Sequence, residues 1–542
     1  MESDPNPLPY HEPRTAPTRK RGIFSPRPEV TGLRRWRLPI AFVLLAIGVL
    51  CWILLSDSIE GNFKFLWVAL DVALTGLVLA GWMLLLSGLP WLGRFATLGG
   101  AVLSLVILVF ALKLTTRTAG TYTGAGVPKL VWKWTPKHTL APLGTAVTAT
   151  AAIDLSSTTP DDSPQFLGTD RDNQIRNVHL SRDWSATPPV ELWRRPVGPG
   201  WGAFAVVGKY ALTQEQRGEE EAVVCYEAAT GNPVWEHLNH AHYSEFQAGE
   251  GPHATPTIVG GRVYVQGATG ILDCLDGANG KVIWSRDIVR DSQAKKNLYY
   301  GQSGSPLIHD KLVIVPGPAG ETSLLAYDRN TGELAWKAGH ENASYASPVF
   351  AIVAGVPQVL NVNQHAIAGF NPTDGKMLWE SHWPGELPKA SQPVPVGSDR
   401  VYCSSGYGLG SVFLQIVPSN DTLAARELWH SSMMKTEFTN VVIRDGQAYG
   451  LDDSRLTCQD LATGKKNWRG ENYGHGQILL ADGLLIIQSE PGDVALVDAK
   501  PTGATELGRL PALHHMTWNP PTLAGHLLLV RNSREAVCYR LP

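Results

Sequence analysis

Five segments of this chain can be laid over one another: CYEAATGNPVW (225–235), CLDGANGKVIW (274–284), AYDRNTGELAW (326–336), GFNPTDGKMLW (369–379) and CQDLATGKKNW (458–468). In each, an acid or Asn precedes a Gly by four residues, and a Trp follows that Gly by four. The spacing has a physical reason. The side-chain oxygens of Glu227, Asp276, Asp328, Asn371 and Asp460 can cap a turn, while Gly231, Gly280, Gly332, Gly375 and Gly464 supply the positive φ of a hairpin turn that ends in a bulge. The unit is therefore strand, tight turn, strand, with the Trp on the outer strand, where its ring can bury about 200 Å² against a neighbouring unit.

Ahead of each hairpin lies another, as in TPTIVGGRVYVQG (255–267) and NVVIRDGQAYGLDD (440–453). About five apolar or alternating residues turn at Gly or Asp and resume. Four antiparallel strands recurring every ~40–50 residues predict the blades of a β-propeller. First strands start near Ala203, Thr255, Ser305, Ser347, Pro393, Asn440, Gln477 and Pro520, which makes eight blades. The last has three strands before CYRLP (538–542), whereas VELWRRPV (190–197) is an orphan strand ahead of the first unit. The orphan is expected to close the ring beside Tyr539, removing exposed sheet edges.

The first 190 residues read differently. Residues 1–37 hold seven prolines and eight Lys or Arg against four acids, the composition of a disordered basic tail. Three apolar runs follow, Leu38–Leu55, Val72–Leu89 and Phe95–Leu112, each long enough to cross a ~30 Å hydrocarbon core as a helix. Asp71 is expected at the headgroup end of the second, beside Trp67. With the basic tail and Arg94 on the cytoplasmic side, and the loop carrying Asp57 and Glu60 opposite, three crossings deliver the remainder to the far side of a bacterial inner membrane, into the periplasm. Residues 115–163 are rich in Thr, Ala, Ser, Gly and Pro and are read as a tether. The expected fold is an all-β eight-bladed β-propeller over 164–542, preceded by a tail (1–37), three transmembrane α-helices (38–114) and the tether.

A formal net charge of -3, from 46 Lys and Arg against 49 Asp and Glu, argues against a nucleic-acid partner. Cys225, Cys274 and Cys458 share one repeat slot with Ala326 and Gly369, and Cys538 fills the matching place in the last unit. A slot that takes Cys, Ala or Gly is a small packing position, so free buried thiols are expected rather than disulfides. None of the 16 His falls in a metal-binding motif, no metal site is predicted, and no catalytic set stands out. In an up-and-down blade the loop entering the first strand and the loop between the second and third open on one face, around the channel mouth. Polar residues on those loops form the candidate ligand rim: Glu215, Arg217, His253, Gln302, Gln364 and His365 from the first four blades, and Asn440, Asp452, Glu490 and Trp518 from the later ones.

At the repeated acid-x-x-Thr/Asn-Gly-x-x-x-Trp hairpin, the chain resembles the pyrroloquinoline-quinone-type (quinoprotein-like) eight-bladed propellers. This group includes quinoprotein alcohol dehydrogenases and the scaffold lipoprotein of the outer-membrane β-barrel assembly machinery. The likeness covers about residues 163–542. It implies either a binding or scaffolding module for a protein or ligand partner, or a membrane-bound dehydrogenase using pyrroloquinoline quinone (PQQ) and Ca²⁺. The dehydrogenase pattern carries a vicinal disulfide and a Glu, Asn and Asp set for Ca²⁺. No two Cys are adjacent here, and Glu215, Asn440 and Asp452 are the nearest candidates for such a set. The scaffold reading leads, and no cofactor is expected under it.

Overall fold

The computed structural model describes residues 32–542 apart from 57, 58, 60, 123–126, 145–152 and 421. The basic tail over 1–31 and the acids Asp57 and Glu60 lie outside the described residues. The chain divides into two compact units, one helical and ending at Thr116, the other containing all that follows.

The helical unit consists of α1 (Gly32–Leu55), α2 (Gly61–Leu85) and α3 (Trp91–Thr115), with apolar stretches of 20, 23 and 25 residues that are long enough to cross a membrane. The second helix differs from the apolar run read over 72–89. It ends at Leu85 because Ser87 Oγ donates to the Met83 carbonyl, Gly88 takes a positive φ, and Pro90 follows. It begins at Gly61, so Asp71 lies inside the helix rather than at its end.

The second unit is a ring of eight four-stranded antiparallel blades, numbered in chain order. Their first strands are Ala205–Val207, Thr257–Val259, Leu307–His309, Val349–Val353, Val394–Val396, Val442–Arg444, Gln477–Ala481 and Thr522–Ala524. These strands neighbour one another around the axis and wall the central channel. Blade 8 takes its outer strand, Val190–Pro196, from the beginning of the domain, with Trp193 opposite Cys538 and Glu191 opposite Tyr539. The ring is closed by the orphan strand, as its sequence predicts.

The repeat motif works at two levels. Within a blade, Asp328 Oδ1 accepts from the Asn330 and Thr331 N–H groups, Gly332 has φ 70°, and the register shifts beside Ala326. Between blades, five of the Trp residues lie face-on against the turn glycine of the next. A Cβ on Gly332 would stand 2.6 Å from the Trp284 ring, and Trp284 Nε1 donates to the Arg329 carbonyl of the same turn at 3.0 Å. The pattern recurs for Trp193 on Gly231, Trp235 on Gly280, Trp336 on Gly375 and Trp429 on Gly464. Blade 5 has Asn420 in place of a turn glycine, and Trp379 of blade 4 donates instead to Gln358 in its own blade. Blade 7 has Gly508 where a Trp would stand, and Trp184, from the segment before the closing strand, lies over it.

All five propeller Cys are free and buried, and Cys225, Cys274, Cys458 and Cys538 each stand opposite a Trp. The apolar core is divided into eight clusters, each a wedge between adjacent blades.

The stretch read as a tether is partly bound to the propeller. His138 Nε2 meets the Val197 carbonyl at 2.8 Å, Arg217 Nη1 donates to the Ala141 carbonyl at 2.8 Å, and Gly144 N–H donates to Glu236 at 2.8 Å.

Candidate functional site

The channel has two ends of different chemistry. The hairpin turns with their glycines make one face, the turn face, and the loops entering each first strand make the other, the loop face.

On the loop face a belt of hydrogen bonds runs from blade to blade. Ala203 N–H donates to Thr255 Oγ1, Thr255 N–H to Ser305 Oγ, and Ser305 N–H to Ser347 Oγ, each at 2.9 Å. Gln392 N–H continues it to Asn440 Oδ1 at 3.0 Å. Satisfying each buried N–H from the adjoining blade makes the belt a structural requirement.

Two residues ahead of the belt position, the blades present Trp201, His253, Ser303, Tyr345, Ala390, Phe438, His475 and Trp518 in turn. Six of the eight are aromatic or His. Trp201 and Trp518 lie 5.0 Å apart between ring centres, Trp518 and Phe438 4.9 Å, and Phe438 and His475 5.7 Å. Phe438 belongs to blade 6 and Trp518 to blade 8, so these rings lean across the intervening blade toward the axis. His253 stands edge-on to Tyr243 at 5.6 Å, and Tyr345 lies 5.5 Å from Tyr300. The result is an aromatic collar around the mouth. Burial pushes His253 down to about 4, so it is neutral at physiological pH, with Nδ1 3.1 Å from Ser303 Oγ.

Beneath the belt the channel is filled by the chain itself, from the turn-face ends of the first strands up to the belt residues Ser305 and Gln392. Ser163 exchanges two backbone hydrogen bonds with Val206 of blade 1, and the Pro164 carbonyl accepts from Ile258 of blade 2. Arg171 is buried and donates to the carbonyls of Ser305 at 3.0 Å and Pro306 at 2.9 Å in blade 3. Its own carbonyl accepts from Gln392 before blade 5. Asn173 Nδ2 donates to Ile478 O at 2.7 Å, and Gln174–Ile175 pair in parallel with Leu480 and Ala481 of blade 7. Gln174 Nε2 also donates to the Ile443 carbonyl of blade 6 at 3.2 Å, so residues 163–175 touch six blades from within. With no carboxylate beside it, burial pushes the Arg171 guanidinium down to about 9. A narrow cleft remains between this plug, at Leu167 and Gly168, and Phe204, Pro520 and Leu523.

The structure distributes the predicted rim residues unevenly. Trp518 and His253 stand in the collar, and Glu490 supports it, accepting from Trp518 Nε1 at 2.9 Å and from His475 N–H at 3.1 Å. Asn440 belongs to the belt. Glu215 and Arg217 are buried: Tyr226 OH donates to Glu215 at 2.5 Å, and Arg217 lies 3.3 Å from the same carboxylate. Gln302 is buried between Gln266 at 3.0 Å and Asn297 at 2.8 Å, and Asp452 accepts from Lys435 N–H at 2.9 Å. Gln364 and His365 lie on a blade 4 loop, where His365 bridges Glu341 at 3.1 Å and Glu386 at 3.0 Å. Trp201 and Phe438 are absent from the rim residues read from polarity. Their signal is the slot they share with His253 and Trp518, since polarity alone passes over apolar members of a ring.

Glu215 stands on blade 1, Asn440 and Asp452 on blade 6, and each is engaged by local partners. Among the described residues no three His, Cys, Asp or Glu are grouped to hold a metal ion. With no adjacent Cys either, the residues present do not fit a quinone and Ca²⁺ site of the dehydrogenase kind.

A family model described as outer membrane protein assembly factor BamB matches residues 190–321 and 219–470. The outer membrane protein assembly factor BamB of Moranella endobia is 22% identical over 282 residues, which covers 49% of this chain and 69% of that protein. Among solved structures, the quinohemoprotein alcohol dehydrogenase of Comamonas testosteroni aligns with TM-score 0.52 at 13% identity, over 73% of this chain and 85% of its own. A second such dehydrogenase, from Pseudomonas putida HK5, aligns with TM-score 0.51 at 13% identity, over 75% and 83%. The two dehydrogenases share the propeller fold.

Proposed function

Because the chain belongs to the propeller family described as outer membrane protein assembly factor BamB, we propose that it is a membrane-anchored docking module whose loop face receives a protein partner. The observation that carries this reading is the collar. Aromatic side chains dominate the energetics of protein interfaces because they bury large area with few rotamers to freeze, and their clusters mark binding centres. Trp201, Phe438 and Trp518 offer such a cluster on a belt that holds them in place, while residues 163–175 fill the channel beneath that belt. The relatives' description as assembly factors favours a protein occupant. The three apolar helices supply the anchor, and the basic side chains before α1, with Arg94, favour a periplasmic propeller tethered to a bacterial inner membrane.

The test is site-specific photocrosslinking of the full chain in native membranes. A photoreactive residue at Phe438 should give discrete protein adducts that disappear in a Trp201→Ala and Trp518→Ala background. The same probe at Thr373, on the turn face, should give none of them. Identical adducts from both faces would refute loop-face docking.

A further inference from the structure

Between the outer strand of blade 1 and the first strand of blade 2 the chain crosses the loop face through a small hairpin, Ser244–Glu245 with Gly249–Glu250. The crossing between blades 2 and 3 meets it with two adjacent tyrosines. Tyr299 OH donates to Glu245 Oε1 at 2.8 Å, Tyr300 OH donates to Gln247 Oε1, and Tyr243 OH donates to the Tyr299 carbonyl at 3.0 Å. Tyr299 and Tyr300 stand edge to face at 4.8 Å, and the Tyr300 N–H donates to Tyr345 OH at 3.3 Å. Four tyrosines thus form one platform. Its outer part is open, with Tyr299 67% and Phe246 39% exposed. Large aromatic groups gathered in one exposed patch mark a contact surface. The platform is continuous with the collar, because Tyr345 belongs to both and a Cβ on Gly249 would stand 3.1 Å from the Trp201 ring.

The charge around the hairpin has one sign. Residues 218–261 hold seven Glu and no Lys or Arg. Of these, Glu219, Glu220, Glu245 and Glu250 lie on the loop face, and the ion-pair partners of Glu219, Glu220 and Glu250 among the described residues are His240 and His242. The Gln247 and Ala248 N–H groups donate to Glu245 Oε2 at 2.7 and 3.2 Å, which fixes that carboxylate in place, and among the described residues no cation pairs with it. Burial and the Glu245 charge hold the Tyr243 and Tyr300 hydroxyls above their ordinary range. The nearest lysines along the crossing that carries Tyr299, Lys295 and Lys296, sit where it pairs with Ala319 of blade 3. Aromatic faces attract a cation, and a carboxylate without a counter-ion beside them adds to the pull.

Given loop-face docking, on which this rests, we propose that the platform of Tyr243, Tyr299, Tyr300 and Tyr345 seats an arginine or lysine side chain of the protein partner, laid on the exposed rings within reach of Glu245. The partner therefore presents a basic segment beside whatever fills the collar. A cation gains from the rings and from the carboxylate, whereas a neutral side chain gains from the rings alone.

The test uses the full chain in detergent micelles, labelled with meta-fluorotyrosine, with the Tyr299 fluorine resonance identified by its loss in Tyr299→Phe. The probe is the peptide acetyl-Gly-Arg-Gly-Arg-Gly-amide, and its control carries citrulline at both arginines, with the same shape and no charge. The arginine peptide should shift that resonance saturably, and the citrulline peptide should need a concentration at least about tenfold higher. Glu245→Gln can still accept from Tyr299 but loses the charge, so it should weaken the arginine peptide about fivefold or more, whereas Asp310→Asn, in a blade 3 turn on the opposite face, should not. Raising the salt from about 20 to about 300 mM should weaken the arginine peptide alone, which reads the charge in the unaltered chain should Glu245→Gln not fold. A Tyr299 resonance that neither peptide moves would overturn the cationic seat. So would one that both move equally, the result expected of a neutral ligand such as a sugar. Photocrosslinks from Phe438 separate this from loop-face docking itself: adducts that persist beside a silent Tyr299 leave docking without a cationic seat, and a Tyr299 that responds in a chain giving no adducts keeps the seat and refutes the collar as the docking centre.

Discussion

Glu221 illustrates how far a single side chain departs from its ordinary behaviour in this ring. Its Oε1 accepts from the Ala268 N–H of blade 2 at 3.1 Å, and its buried Oε2 has no hydrogen-bond partner. Burial pushes the carboxyl up to about 7, and Asp273 nearby adds to the effect. The unfolded chain releases this proton near 4.5, so folding is favoured in full below that pH and loses the contribution as pH rises through 7. Glu221→Gln, which carries no charge to bury, should gain up to about 3 kcal/mol at pH 8 and little at pH 4. Urea midpoints at the two pH values check this, and an equal effect at both would contradict it. The same scale shows what a sequence conceals. Glu215 and Arg217 read as rim residues because the sequence places them on a loop, whereas both belong to the strand Tyr210–Arg217. Glu215 is covered by Gly198, whose N–H donates to it, and by Tyr226, and Arg217 by Ala141, 76 residues earlier. No local pattern carries that information.

Between neighbouring blades the decisive contact is indole on glycine. The turn glycines were legible from their spacing as hairpin formers, and the structure adds that the missing Cβ makes room for the ring of the blade before. Trp284→Ala should cost about 3 kcal/mol or more, by opening a cavity in the wedge between blades 2 and 3 and releasing the Arg329 carbonyl. Gly332→Ala should destabilise as well, through its φ of 70° and the ring 2.6 Å from the new methyl. Thermal melting of both variants measures this, and a melting temperature unchanged by Trp284→Ala would remove the indole from its joining role. Eight blade starts were readable to within two residues because apolar alternation and turns repeat. Trp184 was not, since it serves blade 7 from a stretch without periodicity.

For the whole ring, closure is the property that the orphan strand made legible: VELWRRPV has the pattern of an outer strand and no partner nearby in sequence. Deleting Val190–Pro196 would leave Glu535–Arg540 as an open edge, and should replace cooperative melting with oligomers and a broad transition, measured by calorimetry and light scattering. A single sharp transition from a monomer would count against closure as a source of stability. The plug was not foreseen. SPQFLGTDRDNQI shows neither alternation nor helical spacing, because it bonds to many strands singly instead of joining one sheet. Residues 163–175 are bound by six blades that all follow them in the chain, so the finished ring encloses a segment that precedes every one of its blades, as staves stand about a former.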